Sequence, residues 1–279
     1  MVESGNIDPA KDWKHFLDGE KLYGDDFDLS ESSKWLADEK EAYANLWAKD
    51  RRKYRYSNHA INVKYGFSCL PKWRFWRVLE YGGAWGDEVE PILPRITDLT
   101  VIEPSDALVH TEMHGIPMTY VKPKEDCTLP FRDASFDLIT CFSTLHHVPK
   151  VTKVIGEFYR CLIPGGYLLI REPTVSMGDW RHPRRGLTPR ERGIPLPIFR
   201  NIVNSFGFFI LSERRCMFAF TGVLRRWLKT PLYNSLPIIL MDELFCRLFS
   251  WNHSYHPTTF IMKVGPTSVF FVLQKPTLV

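Results

Sequence analysis

The chain has 279 residues, 44% of them hydrophobic, which is enough to bury a large core in one elaborated domain. Its formal net charge of +4 is too small to indicate a nucleic-acid partner, and none is expected. The start "MVESGNIDPAKDWK" lacks the basic and apolar regions of a secretion signal. The six cysteines are scattered without a close pair, as reduced thiols are. These features predict a cytoplasmic protein.

The most apolar stretch, 236–251, does not have the pattern of a membrane span. A spanning helix needs roughly 18 unbroken apolar residues, whereas Asp242, Glu243 and Arg247 interrupt this stretch. An amphipathic or buried helix is predicted there instead.

Residues 1–76 are interpreted as an N-terminal arm that precedes the main domain, 77–279. An amphipathic helix is predicted over 32–50, where apolar and aromatic side chains recur at helical spacing. The residues with this spacing are Leu36, Tyr43, Leu46 and Trp47. Residues 51–76 mix cations with aromatic side chains, as nucleic-acid-binding segments do, but an arm that packs its rings on the main domain is the favoured interpretation.

From Arg77 onward, short apolar strands alternate with segments of helix length. Strands are predicted at 77–81, 99–103, 117–121, 136–142 and 166–172. Helices are predicted between several of them, including 105–114 and 151–162. This alternation indicates a doubly wound, Rossmann-like α/β fold whose parallel sheet is covered on both faces. Ligands of such sheets bind beyond the carboxyl ends of the strands.

The first strand runs into the turn "EYGGAWG", in which Glu80 precedes Gly82, Gly83 and Gly86. Glycine lets the chain turn tightly and brings backbone N–H groups close to a ligand, and Glu80 can accept hydrogen bonds from a cationic group. The second strand ends in Glu103, which is well placed to bind both hydroxyls of a ribose. These residues fit a nicotinamide-dependent oxidoreductase as well as a methyltransferase.

Two later segments distinguish these classes: "KEDCTLPFRDASFDLITCFSTLHHV" (124–148) and "EFYRCLIPGGYLLIREP" (157–173). Together they resemble the class I S-adenosylmethionine-dependent methyltransferases, particularly the small-molecule subgroup with an acidic residue before LPF, then SFD, LHHV and PGG. The resemblance keeps the family's order from Arg77 to Pro173. It implies a seven-stranded sheet with an antiparallel last strand, and S-adenosylmethionine as the cofactor.

The resemblance also implies a role for each matching residue. Glu80 and the glycine turn after it would hold the amino acid part of the cofactor, and Glu103 would bind the ribose. Asp126 would bind the exocyclic amine of adenine, with Cys127 beside the ring. Ser143 would lie near the methionine moiety.

Two residues of the turn depart from the family's pattern, because Ala84 replaces a glycine and Trp85 replaces a small residue. Alanine is tolerated there at negative φ but is strained in the left-handed conformation. Trp85 is expected either to stack near the cofactor or to turn onto the N-terminal arm. Pro91 and Pro94 are expected to limit the next helix to about one turn. A noncatalytic scaffold that keeps the fold is therefore an alternative.

Two more strands are predicted at 206–217 and 267–276, separated by about fifty residues. A hairpin needs only roughly two to five residues. A helical insertion at about 218–266 is therefore predicted, covering the substrate cleft together with 174–197. A homodimer surface is the alternative for this insertion.

Positive charge concentrates between 181 and 229, where eleven basic residues accompany two acidic ones. An anionic acceptor, such as a phosphorylated sugar or a nucleotide-linked glycan precursor, is one explanation. Peripheral contact with an anionic membrane is a second, and a merely solvated face is a third. The expected partner is accordingly a small-molecule or glycan acceptor.

Methyl transfer to a hydroxyl needs an aligned acceptor and removal of a proton near the time of attack. His146 and His147 follow the fourth strand and are the candidate catalytic bases, because imidazole titrates near neutral pH. Only one of them can point inward, and His146 is favoured; a structural role for both is the alternative. Glu172 and His182 are weaker candidates.

No metal is expected. His253 and His256 have the spacing of metal ligands, but histidines in an aromatic loop usually pack. The sequence thus predicts an S-adenosylmethionine-dependent methyltransferase that acts on a small molecule or glycan precursor, at oxygen. A nicotinamide-dependent oxidoreductase and a noncatalytic scaffold are the alternatives.

Overall fold

Eight strands form a single sheet in the computed structural model, which describes residues 13–41, 44–45, 50–113, 115–228 and 231–277. The strands are β1 Phe75–Tyr81, β2 Ile96–Ile102, β3 Glu112–Met113, β4 Ile116–Val121, β5 Phe136–Phe142, β6 Leu162–Pro173, β7 Phe209–Phe218 and β8 Pro266–Gln274. In space they follow the order β3-β4-β2-β1-β5-β6-β8-β7. Chain progress reverses between β1 and β5, which is where α/β sheets bind ligands.

The pairing directions confirm the predicted fold class. β1 is parallel to β2 and β5, β2 to β4, and β5 to β6. β8 is antiparallel to both β6 and β7. All seven predicted strands are present. The eighth, β3, is a two-residue strand that pairs with β4 and is too short to give a periodic signal in the sequence.

Helices cover both faces of the sheet. They are α1 Trp13–Leu17, α2 Leu29–Glu39, α3 His59–Tyr65, α4 Val151–Cys161, α5 Leu196–Ser205, α6 Ala219–Leu228 and α7 Leu236–Leu248. Successive strand residues point to opposite faces, so Leu79 packs in one core with α4 and α5. Val78 packs in the other core with α3 and α7.

The helix predicted at 105–114 is wrong. A single 3₁₀ turn, Asp106–Leu108, is followed by extended chain and then β3. Leu108 is buried while its neighbours Ala107 and Val109 are exposed, so this segment has no apolar stripe at helical spacing to hold a helix on the sheet. His114, the last residue of the predicted helix, lies outside the described residues.

Two other helices differ from expectation in length. α2 begins at Leu29 because Asp28 and Glu31 form a reciprocal cap, each side chain accepting the other's backbone N–H at 2.8 to 3.0 Å. α2 ends at Glu39, and the expected continuation through Tyr43, Leu46 and Trp47 falls on residues outside the described ranges.

The segment after the glycine turn is a nine-residue 3₁₀ helix, Asp87–Arg95, which continues through Pro91 and Pro94. The expected break after one turn is therefore wrong. Proline lacks the backbone N–H and its ring clashes with the preceding turn of an α-helix. The segment therefore continues through both prolines as a 3₁₀ helix and not as an α-helix.

The arm packs its rings on the main domain, as the favoured interpretation stated. Its first part forms an aromatic cluster with two residues from later loops: Phe16, Tyr23, Phe27, Trp35, Trp180 and Tyr255. The rings of Tyr23 and Trp180 stack at 5.7 Å. Residues 51–76 likewise bury Ile61, Tyr65 and Phe67 in the core beneath α3.

The insertion between β7 and β8 contains α6 and α7. Asp242 of α7 is fully buried and accepts the backbone N–H groups of Met217 and Phe218 at 3.0 and 2.9 Å. These bonds attach α7 to the end of β7. Across the described ranges, every helix is too short or too polar to cross a membrane. The role of the insertion as a cover for the cleft stays a prediction.

Candidate functional site

The carboxyl ends of the strands bring the glycine turn against the loop after β5. Gly82 has a φ of 74°, and its N–H donates to the carbonyl of Ile102 at 2.8 Å. A Cβ on Gly82 would lie 2.2 Å from the side chain of Thr144, and one on Gly83 would lie 2.9 Å from that of Glu80. The close approach of these two loops therefore requires glycine at Gly82.

Glu80 is a fully buried carboxylate at the end of β1. Neither of its oxygens has a hydrogen-bond partner among the described residues. Burial, followed by the charges of Glu88 and Asp87, raises the pKa of Glu80 well above its usual range. The nearby backbone N–H of Val89 does not reach hydrogen-bond geometry with either oxygen and offsets this only in part. An acid in this state destabilises the fold unless a cation or donor meets it. Glu80 is therefore the strongest indication of a ligand at this edge.

Two buried ionic groups of this region were not identified from the sequence: Glu88, whose charge acts on Glu80, and Arg171, whose charge acts on Glu88. Burial raises the pKa of Glu88 to about 8, against the effect of the Arg171 charge, and Glu88 Oε2 has no partner among the described residues. Arg171 donates to the side chains of Asn62 and, at 3.4 Å each, of Tyr56 and Ser143. Arg171 could have been noticed in the sequence, since a charge inside the apolar strand "YLLIRE" is unusual.

Three of the site residues adopt the left-handed conformation although they are not glycine: Ala84 (φ 50°), Cys127 (φ 61°) and Ser143 (φ 59°). Each such residue costs roughly 1–3 kcal/mol, and they tend to occur at functional sites. The strain anticipated for an alanine at position 84 is thus present. The Ala84 carbonyl accepts a hydrogen bond from the Tyr120 hydroxyl at 2.9 Å, which helps to hold this conformation.

Trp85 is buried on the N-terminal arm, which is the second of the two expected placements. It packs in a small cluster with Ala44, Leu108 and Tyr54. The Arg51 guanidinium lies 5.5 Å from the centroid of the Trp85 ring and also binds the Asp87 carboxylate at 2.8 Å. Trp85 therefore ties the glycine turn to the arm.

Glu103 lies buried where β2 ends, as predicted. Burial raises its pKa to about 7, although the backbone N–H groups of Ser105 and Ala84 act in the opposite direction. Its Oε1 accepts the Ser105 N–H at 2.9 Å. Glu103 thus lies between the glycine turn and the loop after β2.

Asp126 and Cys127 lie on the loop after β4. Asp126 Oδ1 accepts the backbone N–H and the hydroxyl of Thr128 at 3.0 and 2.7 Å, and these bonds lower its pKa. Its other oxygen lies 3.6 Å from the Lys153 ammonium. Burial raises the pKa of Cys127 to about 11, so that this thiol stays protonated at neutral pH. Asp126, in contrast, is an ionised and partly exposed acceptor.

The two candidate catalytic histidines are both paired with carboxylates. His146 Nδ1 lies 2.7 Å from Glu172 and its Nε2 3.6 Å from Glu191. His147 Nδ1 lies 2.9 Å from Glu39. Glu172 also accepts the backbone N–H groups of the two residues before His146, each at 2.8 Å. The histidines therefore belong to a connected network of hydrogen bonds, which favours the structural alternative over a free base.

The protonation of His146 points the same way. Burial alone would lower its pKa, but the charges and hydrogen bonds of Glu172 and Glu191 outweigh burial and raise it to about 9. His146 is thus cationic at neutral pH and has no capacity to accept a proton. One atom each from His146, His147 and Glu191 lie within 4.8 Å of one another, but a protonated His146 has no lone pair to give a metal ion. A catalytic role for either histidine stays a prediction.

Several of the basic residues between 181 and 229 make ion pairs or hydrogen bonds within the protein. Arg190 binds Asp38 at 2.7 Å, and Arg200 binds Glu213 through both oxygens. The fully buried Arg192 donates to three backbone carbonyls at 2.8 to 3.1 Å. These contacts weaken the argument for an anionic acceptor.

Comparison with known proteins identifies the family. The sequence pattern of the methyltransferase-domain family matches residues 34–213, which is more than half of the chain. The chain belongs to the methyltransferase-domain family. Its fold and its cofactor class, S-adenosylmethionine, agree with the resemblance seen in the sequence.

Relatives of this methyltransferase-family chain have varied acceptors in their names. It is 27% identical over 155 residues to sterol methyltransferase-like 1 of Botryococcus braunii, a match that covers 44% of this chain and 40% of the relative. It is 33% identical over 86 residues to a phthiotriol/phenolphthiotriol dimycocerosates methyltransferase of Mycobacterium ulcerans, covering 28% and 31%. The chain thus spans less than half the length of these curated relatives.

A solved structure shows the same fold at low identity. Phosphoethanolamine N-methyltransferase 2 of Haemonchus contortus superposes with a TM-score of 0.57 at 15% identity, covering 88% of this chain and 60% of that one. At this identity the likeness concerns the fold alone.

Proposed function

We propose that this protein transfers a methyl group from S-adenosylmethionine to a small molecule with an apolar body. The observation that carries the acceptor class is a cavity of about 420 Å³ beyond the carboxyl end of β6. Val175 and Met177 from the loop after β6, and Ala219, Val223 and Met262 from the insertion, contribute to its lining. Its size and apolar side chains are typical of sites for small organic ligands.

The cofactor is assigned to the glycine turn and its neighbours. S-adenosylmethionine supplies an activated methyl group on a cationic sulfur, and it also carries an ammonium group. The two oxygens of Glu80 and the Oε2 of Glu88 are buried without a hydrogen-bond partner among the described residues, and they fit such a cationic group because a positive charge would satisfy them. Glycine at 82 and 83 leaves backbone where a side chain would collide.

The remaining cofactor contacts follow the strand ends. Glu103 would bind the ribose, and Asp126 the adenine amine, with Cys127 beside the ring and Ser143 near the methionine moiety. The support is that Glu103 and Asp126 are acceptors on adjoining loops, and that Ser143 is hydrogen-bonded to Arg171 next to Glu88. The protein's own contribution to the reaction is then alignment of the acceptor and exclusion of water.

The lipid-like acceptors named for several relatives support an apolar acceptor over a sugar. Besides the sterol methyltransferase-like protein, these relatives include a botryococcene C-methyltransferase. Two of the relatives are named C-methyltransferases, one of botryococcene and one of 24-methylenesterol. We therefore favour carbon as the methylated position, and we keep O-methylation of a glycan precursor as the second candidate. Transfer to carbon or to oxygen releases a proton in either case, so the choice does not depend on a base at His146.

The proposal is tested by incubating the protein with labelled S-adenosylmethionine and two extracts of the source cells, one organic and one aqueous. We expect label in a compound of the organic extract whose mass exceeds that of its precursor by one labelled methyl group in place of a hydrogen. Label found only in sugars of the aqueous extract would overturn the apolar acceptor. Binding of S-adenosylhomocysteine without labelling of either extract would favour the noncatalytic scaffold.

A further inference from the structure

The helix α7 has apolar side chains on both its buried and its exposed side. Its inward side carries Ile239, Asp242 and Cys246, whereas Leu236, Leu240, Leu244 and Leu248 recur every four residues on the side facing solvent. These four leucines are 49% to 58% exposed. Surface helices normally bury such a stripe. A solvent-facing row of four leucines therefore indicates that something beyond the described residues covers it.

The apolar row continues beyond α7. Trp251 is 75% exposed, and Phe260 and Ile261 are 83% and 71% exposed. The two segments are adjacent, because the side chain of Asn252 donates to the carbonyl of Ile261 at 2.7 Å. We call the seven residues Leu236, Leu240, Leu244, Leu248, Trp251, Phe260 and Ile261 the apolar face.

Charge around the apolar face is mainly positive. Arg214 and Lys263 are exposed and make no ion pair within the ranges that the structure describes. The acids of α7, in contrast, are occupied: Asp242 accepts backbone N–H groups, and Glu243 binds Arg247 at 2.5 Å and lies 3.7 Å from Lys64. An apolar face with cations at its border suits an anionic lipid surface.

We propose that the apolar face docks on an anionic membrane, with α7 lying in the interface and Trp251 at the level of the headgroups. The face is continuous with the cavity, since Met262 and Lys263 line the cavity directly after Ile261. Docking through the apolar face places the cavity mouth at the membrane, where an apolar acceptor is concentrated; this last step rests on the proposed function. A second copy is a poorer occupant, because a twofold contact would bring the like-charged borders together.

The test is flotation of the full-length protein with vesicles of phosphatidylcholine alone, and of phosphatidylcholine with phosphatidylglycerol. We expect binding that requires phosphatidylglycerol and that Leu244→Glu and Trp251→Ser each weaken about tenfold or more. The matched control is Trp76→Ser, because Trp76 is 66% exposed but lies near the amino end of the central strand β1, outside the apolar face. That variant should bind as the native protein does.

Several results would overturn the proposal. These are no binding to either vesicle, an equal loss with Trp76→Ser, or a native dimer that Leu244→Glu converts to a monomer without any vesicle binding. Titration of each variant with S-adenosylhomocysteine separates this proposal from the proposed function. Unchanged affinity in variants that no longer bind vesicles supports docking, whereas loss of that affinity in all of them would indicate damage to the fold and count against it.

Discussion

Two buried glutamates at the carboxyl edge of the sheet differ in one respect. Glu80 on β1 and Glu172 on β6 are both fully buried. Glu172 accepts hydrogen bonds from the backbone N–H groups of Thr144 and Leu145 and from the ring of His146, whereas Glu80 has no partner among the described residues. The paired acid stabilises the native chain. The unpaired acid destabilises it and is therefore best explained by a ligand.

The site accordingly has two regions, one around Glu80 and one around Glu172. Around Glu80, the strained backbone and the buried carboxylate oxygens without a partner among the described residues support the proposed cofactor site. Around Glu172, the histidines and acids satisfy one another, and they hold the loop after β5 in place. The same chemical substitution in each region should therefore have opposite consequences.

The largest effect is expected for Glu172→Gln. This change removes the negative charge that faces His146 and leaves a buried cation with one partner fewer. We expect a loss of about 3 kcal/mol in the free energy of unfolding, as for other broken buried pairs. Urea denaturation at pH 7 measures it, and a loss below about 1 kcal/mol would contradict the assigned role.

The matching change, Glu80→Gln, should act in the other direction. The pKa of Glu80 is raised on folding, so the acid contributes stability below its unfolded pKa of about 4.5 and loses it as pH rises. Glutamine does not titrate. We expect the variant to be more stable than the native protein by about 1–2 kcal/mol at pH 8, and by little at pH 4.5. Urea midpoints at the two pH values check this, and a variant less stable at pH 8 would refute it.

The pH dependence of His146 is the third test. Its pKa is about 9 in the folded protein and ordinarily 6.5, so its contribution is complete below pH 6.5 and is lost as pH rises through 9. We expect the native protein to lose more stability than His146→Gln between pH 6.5 and 9, by about 1 kcal/mol or more. If the stability of the two proteins changes with pH in the same way, the pKa of His146 is not raised on folding and this assignment is wrong.

The smallest effect is expected for Ala84→Gly. Ala84 has a φ of 50°, a conformation that glycine adopts without strain. We expect a gain of about 1 kcal/mol in the free energy of unfolding. Ser57→Gly, in the unstructured stretch before α3, is the control and should give no gain. A melting temperature lowered by Ala84→Gly would show that the turn uses the alanine methyl group.

The placement of Glu80, Gly82 and Glu103 at one edge of the sheet could be predicted from the sequence. They stand at or just after strand ends, and the parallel order of the strands brings those ends together. Glu88 escaped notice because nothing in a local pattern shows that an acid in a polar 3₁₀ segment is buried. The fold likewise followed from alternating strands and helices, while the helix predicted at 105–114 is absent because this segment has no apolar stripe at helical spacing.

The sequence predicted that an insertion lies between β7 and β8, but not which side of α7 faces solvent. Its length between two strands indicated extra helices, but the direction in which α7 points depends on Asp242 reaching the N–H groups at the end of β7. That contact joins residues 24 and 25 positions apart and has no local signal. The sequence therefore predicted an amphipathic or buried helix at 236–251 without showing that its row of four leucines is exposed.

The central claim, that the region around Glu80 and Glu103 binds S-adenosylmethionine, is tested most directly by calorimetric titration with S-adenosylhomocysteine. We expect saturable one-to-one binding of S-adenosylhomocysteine, loss of that binding in Glu103→Ala, and no heat from NAD under the same conditions. Binding of NAD without S-adenosylhomocysteine, or S-adenosylhomocysteine affinity that Glu103→Ala leaves unchanged, would contradict it.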